Sequence, residues 1–222
     1  MIECKQLSKS YHRKEIFKAA NATFRTGKIS FVMGPNGAGK TTLIKCLMGL
    51  ETFEGVVFFD GLQASKAKES CLVLWDDCPF YNNLSGLTNL QIFGEGRCQR
   101  KEVVLIAHQY LSNELLRQKV KTYSYGQKKK LGLALIDILS PKYLVMDEIS
   151  NGLDYDTMRE LKARIKKWSI DATVVLTGHQ FDFYNNIIDD LFVLRNGQII
   201  LQSEDFDASQ KRLEDIYDEE IH

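Results

Sequence analysis

The chain has 222 residues, 44% of them hydrophobic and 26% charged, which is typical of one globular domain or a domain with a small lobe. Its 29 basic residues balance 29 acidic ones, and this zero net charge argues against a nucleic-acid-binding protein. We expect no transmembrane span, because no apolar run reaches about 18 residues. We expect a cytosolic location, because residues 1–5 lack the apolar core of a signal peptide.

The cysteines indicate reduced thiols rather than disulfides or a zinc site. They are odd in number, and no two of them have the C-x-x-C spacing of a metal-binding turn. The five are Cys4, Cys46, Cys71, Cys78 and Cys98. Thiols of this kind stay reduced in a cytosolic protein.

The first third of the chain alternates between short apolar runs and one helical pattern. Leu43, Ile44 and Leu47 share one face, which predicts a helix over residues 40–50. A turn at Thr26-Gly27 separates the first two apolar runs. Strands are predicted at residues 17–24, 29–33, 55–60 and 71–75.

Residues 76–127 differ in character, because Asn, Ser, Gly and charged residues are frequent there. Helical patterns over residues 87–93 and 102–116 predict a small helical lobe inserted into the core. The core pattern then resumes, with helices predicted at residues 129–139 and 157–168 and strands at residues 143–146, 173–176, 191–194 and 198–201.

The alternation of strands and helices predicts an α/β fold with a largely parallel sheet that helices cover. The last two strands surround Asn196-Gly197, which is typical of a two-residue hairpin. The acidic tail at residues 214–220 indicates a solvated helix end rather than a binding site.

One glycine-rich segment fits the phosphate-loop pattern G-x-x-x-x-G-K-[ST]. It reads Gly34-Pro35-Asn36-Gly37-Ala38-Gly39-Lys40-Thr41. A predicted strand precedes it and a predicted helix follows, which is the context that such a site needs. Its backbone N–H groups can hold a triphosphate at a helix N-terminus, with Lys40 on the outer phosphates, Thr41 on Mg²⁺ and Thr42 adding a phosphate contact. The alternative, a plain glycine turn before a helix, explains neither Lys40 nor Thr41.

Two carboxylates, Asp147 and Glu148, follow the apolar strand at residues 143–146. The carboxyl ends of parallel strands form the edge where α/β proteins bind ligands. Asp147 suits the coordination of Mg²⁺, directly or through water, and Glu148 suits the polarisation of an attacking water. The alternative is a solvated strand end, which the nearby phosphate loop disfavours.

Three further segments complete an ordered set of motifs. They are Tyr123-Ser124-Tyr125-Gly126-Gln127, Ser150-Asn151-Gly152-Leu153-Asp154 and Thr177-Gly178-His179. With the two motifs above, the chain resembles the ATP-binding subunit of an ABC transporter, from about residue 1 to residue 202. It resembles most the short single-domain subunits that pair with separate membrane chains, often for export.

The resemblance implies an α/β P-loop NTPase core with a mostly parallel sheet, an antiparallel β lobe and an inserted helical subdomain. It implies one ABC ATP-binding domain over residues 1–222, with the core at 1–75 and 128–202, the helical subdomain at about 76–127 and an acidic tail at 203–222. The implied cofactors are ATP and Mg²⁺.

The resemblance also implies roles for individual residues. Tyr11 matches the aromatic residue that stacks on adenine, although a tyrosine at a strand end can also belong to the core. Ser124, Gly126 and Gln127 match the signature segment, which contacts the nucleotide of a second subunit. Asn151 to Asp154 match the D-loop at the dimer interface. Glu148 matches the catalytic glutamate and His179 the switch histidine, which gives the two catalytic candidates.

The chain departs from the family pattern at two places. Tyr123 and Tyr125 stand in the signature where leucine and a glycine are usual. Asp76 stands where the family has the Q-loop glutamine. Because Asp77 is adjacent, either of the two could align with that glutamine. Asp76 could bind Mg²⁺ more directly than a glutamine or fail to reach it. Phe80 and Tyr81 could line the groove for a coupling helix or pack the helical lobe.

The lysines at positions 128, 129 and 130 indicate a solvated helix face rather than a phosphate or lipid site. The expected partners are a transmembrane permease subunit and a second ATP-binding subunit, identical or closely related, at the inner face of the cell membrane. Two alternatives stay open at this point: a weakly hydrolysing regulatory nucleotide-binding subunit and a non-transport ABC-type ATPase.

Overall fold

A computed structural model describes residues 1–12 and 14–221, with the side chains of Ser65 and Ile221 excluded. The strands, in chain order, are β1 (Ile2–Tyr11), β2 (Lys14–Phe24), β3 (Ile29–Met33), β4 (Glu54–Phe59), β5 (Leu62–Gln63), β6 (Cys71–Leu74), β7 (Tyr143–Asp147), β8 (Thr173–Thr177), β9 (Asp190–Arg195) and β10 (Gln198–Ser203). The helices are α1 (Lys40–Leu47), α2 (Ala64–Ala67), α3 (Gly86–Phe93), α4 (Arg100–Ala107), α5 (Asn113–Arg117), α6 (Tyr125–Leu139), α7 (Tyr155–Ser169), α8 (Phe181–Tyr184) and α9 (Leu213–Ile221).

A six-stranded sheet with the order β10-β9-β3-β8-β7-β6 forms the centre of the molecule. Its pairs are parallel except for β9 and β10, which form the hairpin expected at Asn196-Gly197. Every residue of β3, β7 and β8 is buried, because both faces of the sheet are covered. The predicted α/β class and mostly parallel sheet are therefore confirmed.

Two apolar clusters lie on opposite faces of this sheet. Alternate residues of the central strands point to opposite sides, so that Met146 joins one cluster and Val145 the other. On the first face, α6, α7 and α9 pack against the sheet. On the second face, α1 and the antiparallel sheet β2-β1-β4-β5 cover it. That sheet is the antiparallel β lobe that the resemblance implies.

A third apolar cluster joins α3, α4 and α5 to one side of α6. This packing confirms an inserted helical unit, but the single helix predicted over residues 102–116 is wrong. The chain instead forms α4 and α5 with a break between them. Ser112 starts α5 by accepting a hydrogen bond from the backbone N–H of Leu115, 3.2 Å away, and such a cap favours a new helix start.

The acidic tail is more than a solvated helix end. In α9, Leu213 and Ile216 are buried against the first face of the sheet. The backbone N–H of Leu213 donates to the Asn185 side chain at 2.8 Å, and the same asparagine donates to Glu214 at 2.8 Å. Its acidic residues therefore share the helix with an apolar face that anchors it.

The parallel register brings three loops to one edge of the central sheet. Val32 lies beside Thr177, and Thr177 lies beside Asp147, at the carboxyl ends of β3, β8 and β7. The segments that follow these strands therefore meet at this edge. No helix among the described residues has both the length and the apolar character needed to cross a membrane.

Candidate functional site

The loop of residues 34–39 connects β3 to α1 in a tight turn that favours glycine at positions 34 and 39. A Cβ atom on Gly34 would lie 3.1 Å from the Cβ atoms of both Ala38 and Leu194. Gly39 has a φ of +108°, and a Cβ atom there would lie 2.6 Å from Ile16. No side chain that the structure describes caps the N-terminus of α1, so its first N–H groups can bind an anion.

Lys40 opens α1 and folds back over the loop. Its ammonium group donates to the carbonyl oxygens of Gly34 at 2.7 Å and Pro35 at 3.3 Å. Burial lowers the pKa of Lys40, while the nearby carboxylates of Glu148 and Asp147 act in the opposite direction. Because its hydrogen bonds within the described part of the chain go to neutral carbonyls, this buried ammonium is well placed to exchange them for the oxygens of an anionic ligand.

Asp147, at the end of β7, is buried and receives two hydroxyl groups. Thr41 of α1 donates to its Oδ2 atom at 3.3 Å, and Thr177 of β8 donates to its Oδ1 atom. Carboxylate and hydroxyl oxygens are the hard ligands that Mg²⁺ takes, usually with several waters and phosphate oxygens. The donor chemistry at Thr41 and Asp147 therefore fits this ion.

Glu148 and His179 face each other across the same edge. The Nε2 atom of His179 lies 3.5 Å from the Oε1 atom of Glu148, and the Oε2 atom of Glu148 is buried with no hydrogen-bond partner among the described residues. Burial raises the pKa of Glu148; His179 lowers it and Asp147 raises it further. The Glu148 carboxylate thus has a raised pKa and an acceptor oxygen, Oε2, to which a water molecule can donate a hydrogen bond.

The backbone of Glu148 has a φ of +53°, a left-handed conformation that is unusual for a glutamate. Its N–H donates to the carbonyl of Thr177 at 3.2 Å. Its own carbonyl accepts from the backbone N–H of Asn151 at 3.2 Å and from the ammonium of Lys129 at 3.1 Å. These three bonds hold the turn that aims the carboxylate.

The signature segment forms the capped start of α6. The Ser124 hydroxyl accepts from the N–H of Gln127 at 3.2 Å, and the Gln127 side chain accepts from the N–H of Ser124 at 2.8 Å. This reciprocal capping box fixes the helix start. Gly126 is next to it, and a Cβ atom there would lie 3.2 Å from the carbonyl of Gly152 in the segment after β7.

The two departures from the family pattern meet in space. The Tyr125 hydroxyl donates to Asp76, and its ring packs so tightly on Gly152 that a Cβ atom on this glycine would lie 2.2 Å away. Asp76 also receives Lys129 at 3.2 Å and Asn151 at 3.4 Å. Burial acts to raise the pKa of Asp76, but the bonds from Tyr125 and Lys129 outweigh it, so its pKa is lowered. Its role as a Mg²⁺ ligand stays a prediction.

The prediction of a solvated lysine face is wrong for Lys129. This side chain is fully buried, whereas Lys128 and Lys130 are half-buried. The spacing of Lys129 with Leu133 and Ile136, at i, i+4 and i+7, places all three on the core-facing side of α6 and is the signal that could have identified it.

Tyr11 lies apart from the cluster at the sheet edge, at the end of β1. Its side chain is exposed, and the Lys9 ammonium lies 4.6 Å from the centre of its ring. Lys9 in turn forms a 3.0 Å ion pair with Glu51 beyond the end of α1. Contacts and nearby charges thus link Lys40, Thr41, Asp147, Glu148 and His179 near the loop. Tyr11 lies at the end of β1, and Ser124, Gly126 and Gln127 lie at the start of α6.

Comparisons with known proteins identify the family. Residues 17–151 match the family model described as ABC transporter. The chain is 31% identical to the lantibiotic transport ATP-binding protein SrtF of Streptococcus pyogenes, over 100% of this chain and 97% of the relative. It is 27% identical to the tungstate uptake system ATP-binding protein TupC of Peptoclostridium acidaminophilum, over 89% of this chain and 96% of the relative.

Solved structures share the fold. One ATP-binding subunit of an ABC transporter superposes with a TM-score of 0.83 over 99% of this chain and 92% of that one, at 20% identity. CbiO1 from Clostridium perfringens, part of the complex cbiONQ, superposes with a TM-score of 0.75 over 91% of this chain and 88% of that one, at 23% identity. The family match and the relatives show that the chain belongs to the ABC transporter family, as an ATP-binding subunit whose ATPase activity powers transport.

Proposed function

We propose that residues 34–42 hold the phosphates of ATP, and that Glu148 accepts a proton from the water that attacks the γ-phosphorus. The convergence of Thr41, Asp147, Glu148 and His179 at one sheet edge carries this proposal. Lys40 and the N–H groups at the start of α1 bind the phosphate oxygens. Mg²⁺ at Thr41 and Asp147 would offset the negative charge of the phosphates.

In this proposal His179 orients the Glu148 carboxylate rather than taking the proton itself. The two side chains lie 3.5 Å apart, and the raised pKa of Glu148 makes it a stronger base than an exposed glutamate. The water would lie next to the Oε2 atom, for which the described residues provide no hydrogen-bond partner. The bond between the γ-phosphorus and the bridging oxygen breaks as the water oxygen bonds to phosphorus.

We also propose that two ATP-binding subunits share two nucleotides across their interface. Each nucleotide would lie between the phosphate loop of one subunit and residues 124–127 of the other. Residues 151–154 would lie at the contact between them, and Tyr11 would stack on the adenine. The start of α6 supports this arrangement, because the Ser124 cap engages the N–H of Gln127 and leaves other N–H groups of the first turn to bind a phosphate.

The expected membrane partner is a separate permease, with the chain at the inner face of the cell membrane. The helical unit, proposed as residues 76–127 beside a core of 1–75 and 128–202, carries an exposed aromatic patch that suits such a partner. In this patch, Tyr81 is 55% exposed, and its ring stacks on that of Phe93 with 5.8 Å between the ring centres. The ring of Phe80 meets Phe93 edge-on, with 6.1 Å between the ring centres. Exposed apolar patches of this kind commonly mark protein interfaces.

The variant Glu148→Gln tests these proposals together. It keeps the shape of the side chain but cannot accept a proton, so we expect ATP binding to persist while turnover falls about 100-fold or more. In light scattering with ATP and Mg²⁺, the variant should then accumulate as an ATP-bound dimer. Glu54→Gln, on an exposed position of β4, is the matched control and should behave as the wild type.

Each alternative function corresponds to a distinct result. Nucleotide uptake by the wild type without turnover, both alone and with its membrane partner, would assign the regulatory role. Turnover without association with any detergent-solubilised membrane protein would assign a non-transport ATPase. Unchanged turnover in Glu148→Gln would remove Glu148 from the catalytic role.

A further inference from the structure

Lys129 connects its own helix, α6, with two segments that are distant in the sequence. Its ammonium bonds to Asp76 after β6 at 3.2 Å and to the backbone carbonyl of Glu148 after β7 at 3.1 Å. It also lies 5.3 Å from the centre of the Tyr125 ring at the start of its own helix. Asn151, the first residue of the D-loop segment, donates to the same Asp76 oxygen at 3.4 Å.

Burial makes these contacts obligatory. The Lys129 side chain is fully buried, and removing a charge from water is costly unless that charge is paired and hydrogen-bonded. The Asp76 carboxylate supplies the opposite charge, and the Glu148 carbonyl supplies a second acceptor. An apolar residue at this position on α6 would fill the space without that cost, so the charge indicates a role beyond packing.

The position of Glu148 indicates what that role is. Its backbone is left-handed, with a φ of +53°, and such a conformation persists only where its surroundings fix it. Lys129 is the side chain that bonds to its carbonyl, and Asn151 contributes a backbone bond to the same oxygen. Removing the ammonium would leave this turn with one bond fewer on the residue that carries the carboxylate.

We propose that Lys129 is a positioning residue for ATP hydrolysis: it holds the Glu148 backbone from α6 and so aims the carboxylate at its water. This inference rests on the proposed catalytic role of Glu148. Because α6 begins with the segment proposed to contact the nucleotide of the partner subunit, a shift of α6 moves Lys129 and therefore Glu148. One lysine thus links the two nucleotide sites mechanically within a single chain.

The variant Lys129→Met retains the apolar stem and removes the ammonium. We expect ATP affinity within about threefold of the wild type, because Lys129 lies outside the phosphate loop. We expect kcat to fall about 10- to 100-fold, because a misplacement of about 1 Å at a reacting group can cost about 100-fold. Lys128→Met and Lys130→Met, on half-buried neighbours of the same helix, are the matched controls and should retain kcat within about twofold.

A double variant separates positioning from simple stability. Lys129→Met alone leaves Asp76 without its charged partner, and this can lower the melting temperature. Adding Asp76→Asn removes the unpaired charge, so Asp76→Asn/Lys129→Met should recover most of the lost melting temperature. Its kcat should stay at least 10-fold low, because the Glu148 carbonyl still lacks the ammonium donor.

Three results would overturn the inference. They are wild-type kcat in Lys129→Met, wild-type kcat in the double variant Asp76→Asn/Lys129→Met, and a loss of ATP affinity that fully accounts for the lost turnover. Failure of the underlying catalytic proposal is distinguishable, since the wild type itself would then show no turnover, or Glu148→Gln would retain it.

Discussion

The imidazole of His179 and the carboxylate of Glu148 face each other at 3.5 Å, although 30 residues separate them in the chain. They come from the loops after adjacent parallel strands, where Asp147 of β7 pairs with Thr177 of β8. The parallel register, rather than any local sequence pattern, therefore brings the two groups together.

Removing the imidazole should affect turnover more than binding. In His179→Ala we expect kcat to fall about 10- to 100-fold while the KM for ATP changes little, because the carboxylate loses the group that orients it. Steady-state ATPase assays over a range of ATP concentrations give both values. His108→Ala, at the exposed end of α4, is the matched control. A rise in KM with unchanged kcat would instead place His179 in ATP binding.

The bond between Thr41 and Asp147 gives a test of the metal site. Thr41→Val keeps the shape of the side chain but removes the hydroxyl that lies 3.3 Å from Asp147. We expect the Mg²⁺ concentration for half-maximal hydrolysis to rise about 10- to 100-fold, as is typical when a group around a metal is lost. Chelation with EDTA should abolish hydrolysis in the wild type. An unchanged Mg²⁺ dependence in Thr41→Val would show that this hydroxyl is not a ligand.

Gly178, next to His179, leaves no room for a larger side chain, so we expect a substitution there to lower the stability of the fold. A Cβ atom on it would lie 2.2 Å from the hydroxyl of Tyr184 and 2.4 Å from its ring, and Tyr184 is fully buried. The same hydroxyl donates to the Thr177 carbonyl at 2.9 Å, so the ring cannot easily move. Gly178→Ala should reduce the free energy of unfolding by about 1–3 kcal/mol, as overpacking does. Chemical denaturation measures it, and an unchanged midpoint would mean that the ring shifts freely.

Stability should depend on pH through Asp60. The Lys142 ammonium, 2.5 Å away, holds the pKa of this carboxyl well below its ordinary 3.8, and the Met1 amino group and the Tyr143 hydroxyl add to the effect. A lowered carboxyl pKa stabilises the fold above pH 3.8, and this stabilisation is lost as the pH falls below that value.

The variant Asp60→Asn should therefore melt a few degrees below the wild type at pH 7, with the difference shrinking below about pH 4. Thermal melts followed by circular dichroism at pH 7 and pH 3 give the comparison. Asp218→Asn, at an exposed position of α9, is the control and should change neither. A constant difference between Asp60→Asn and the wild type at both pH values would exclude ionisation as its source.

The sequence predicted most of the central sheet, because its strands are short and apolar throughout. The predicted strand at residues 29–33 has the same first and last residues as β3, and β7 and β8 each extend one residue beyond their predicted ends. β1 was missed, because it mixes charged and apolar residues and contains bulges, with Gln6 at a φ of +54°. The bulges break the two-residue alternation by which a strand is recognised.

The sequence displays the motif residues of the proposed site, but it does not show the contacts among them. Lys40 and Thr41 form part of a local pattern that a sequence displays. The ion pair between Asp76 and Lys129 spans 53 positions, and no spacing rule predicts it. In the sequence, Tyr125 and Asp76 are separate departures from the family pattern, whereas in the structure their hydrogen bond makes them one feature.

Titration calorimetry with ATP and Mg²⁺ tests most directly whether residues 34–42 hold the nucleotide. The wild type should take up ATP, and Lys40→Ala should bind about 10- to 100-fold more weakly, because a charged hydrogen bond to phosphate is worth about 1.5–3 kcal/mol. Lys45→Ala, one turn along the same helix, should bind as the wild type does. Equal affinity in Lys40→Ala and the wild type, or no uptake by either, would contradict the account.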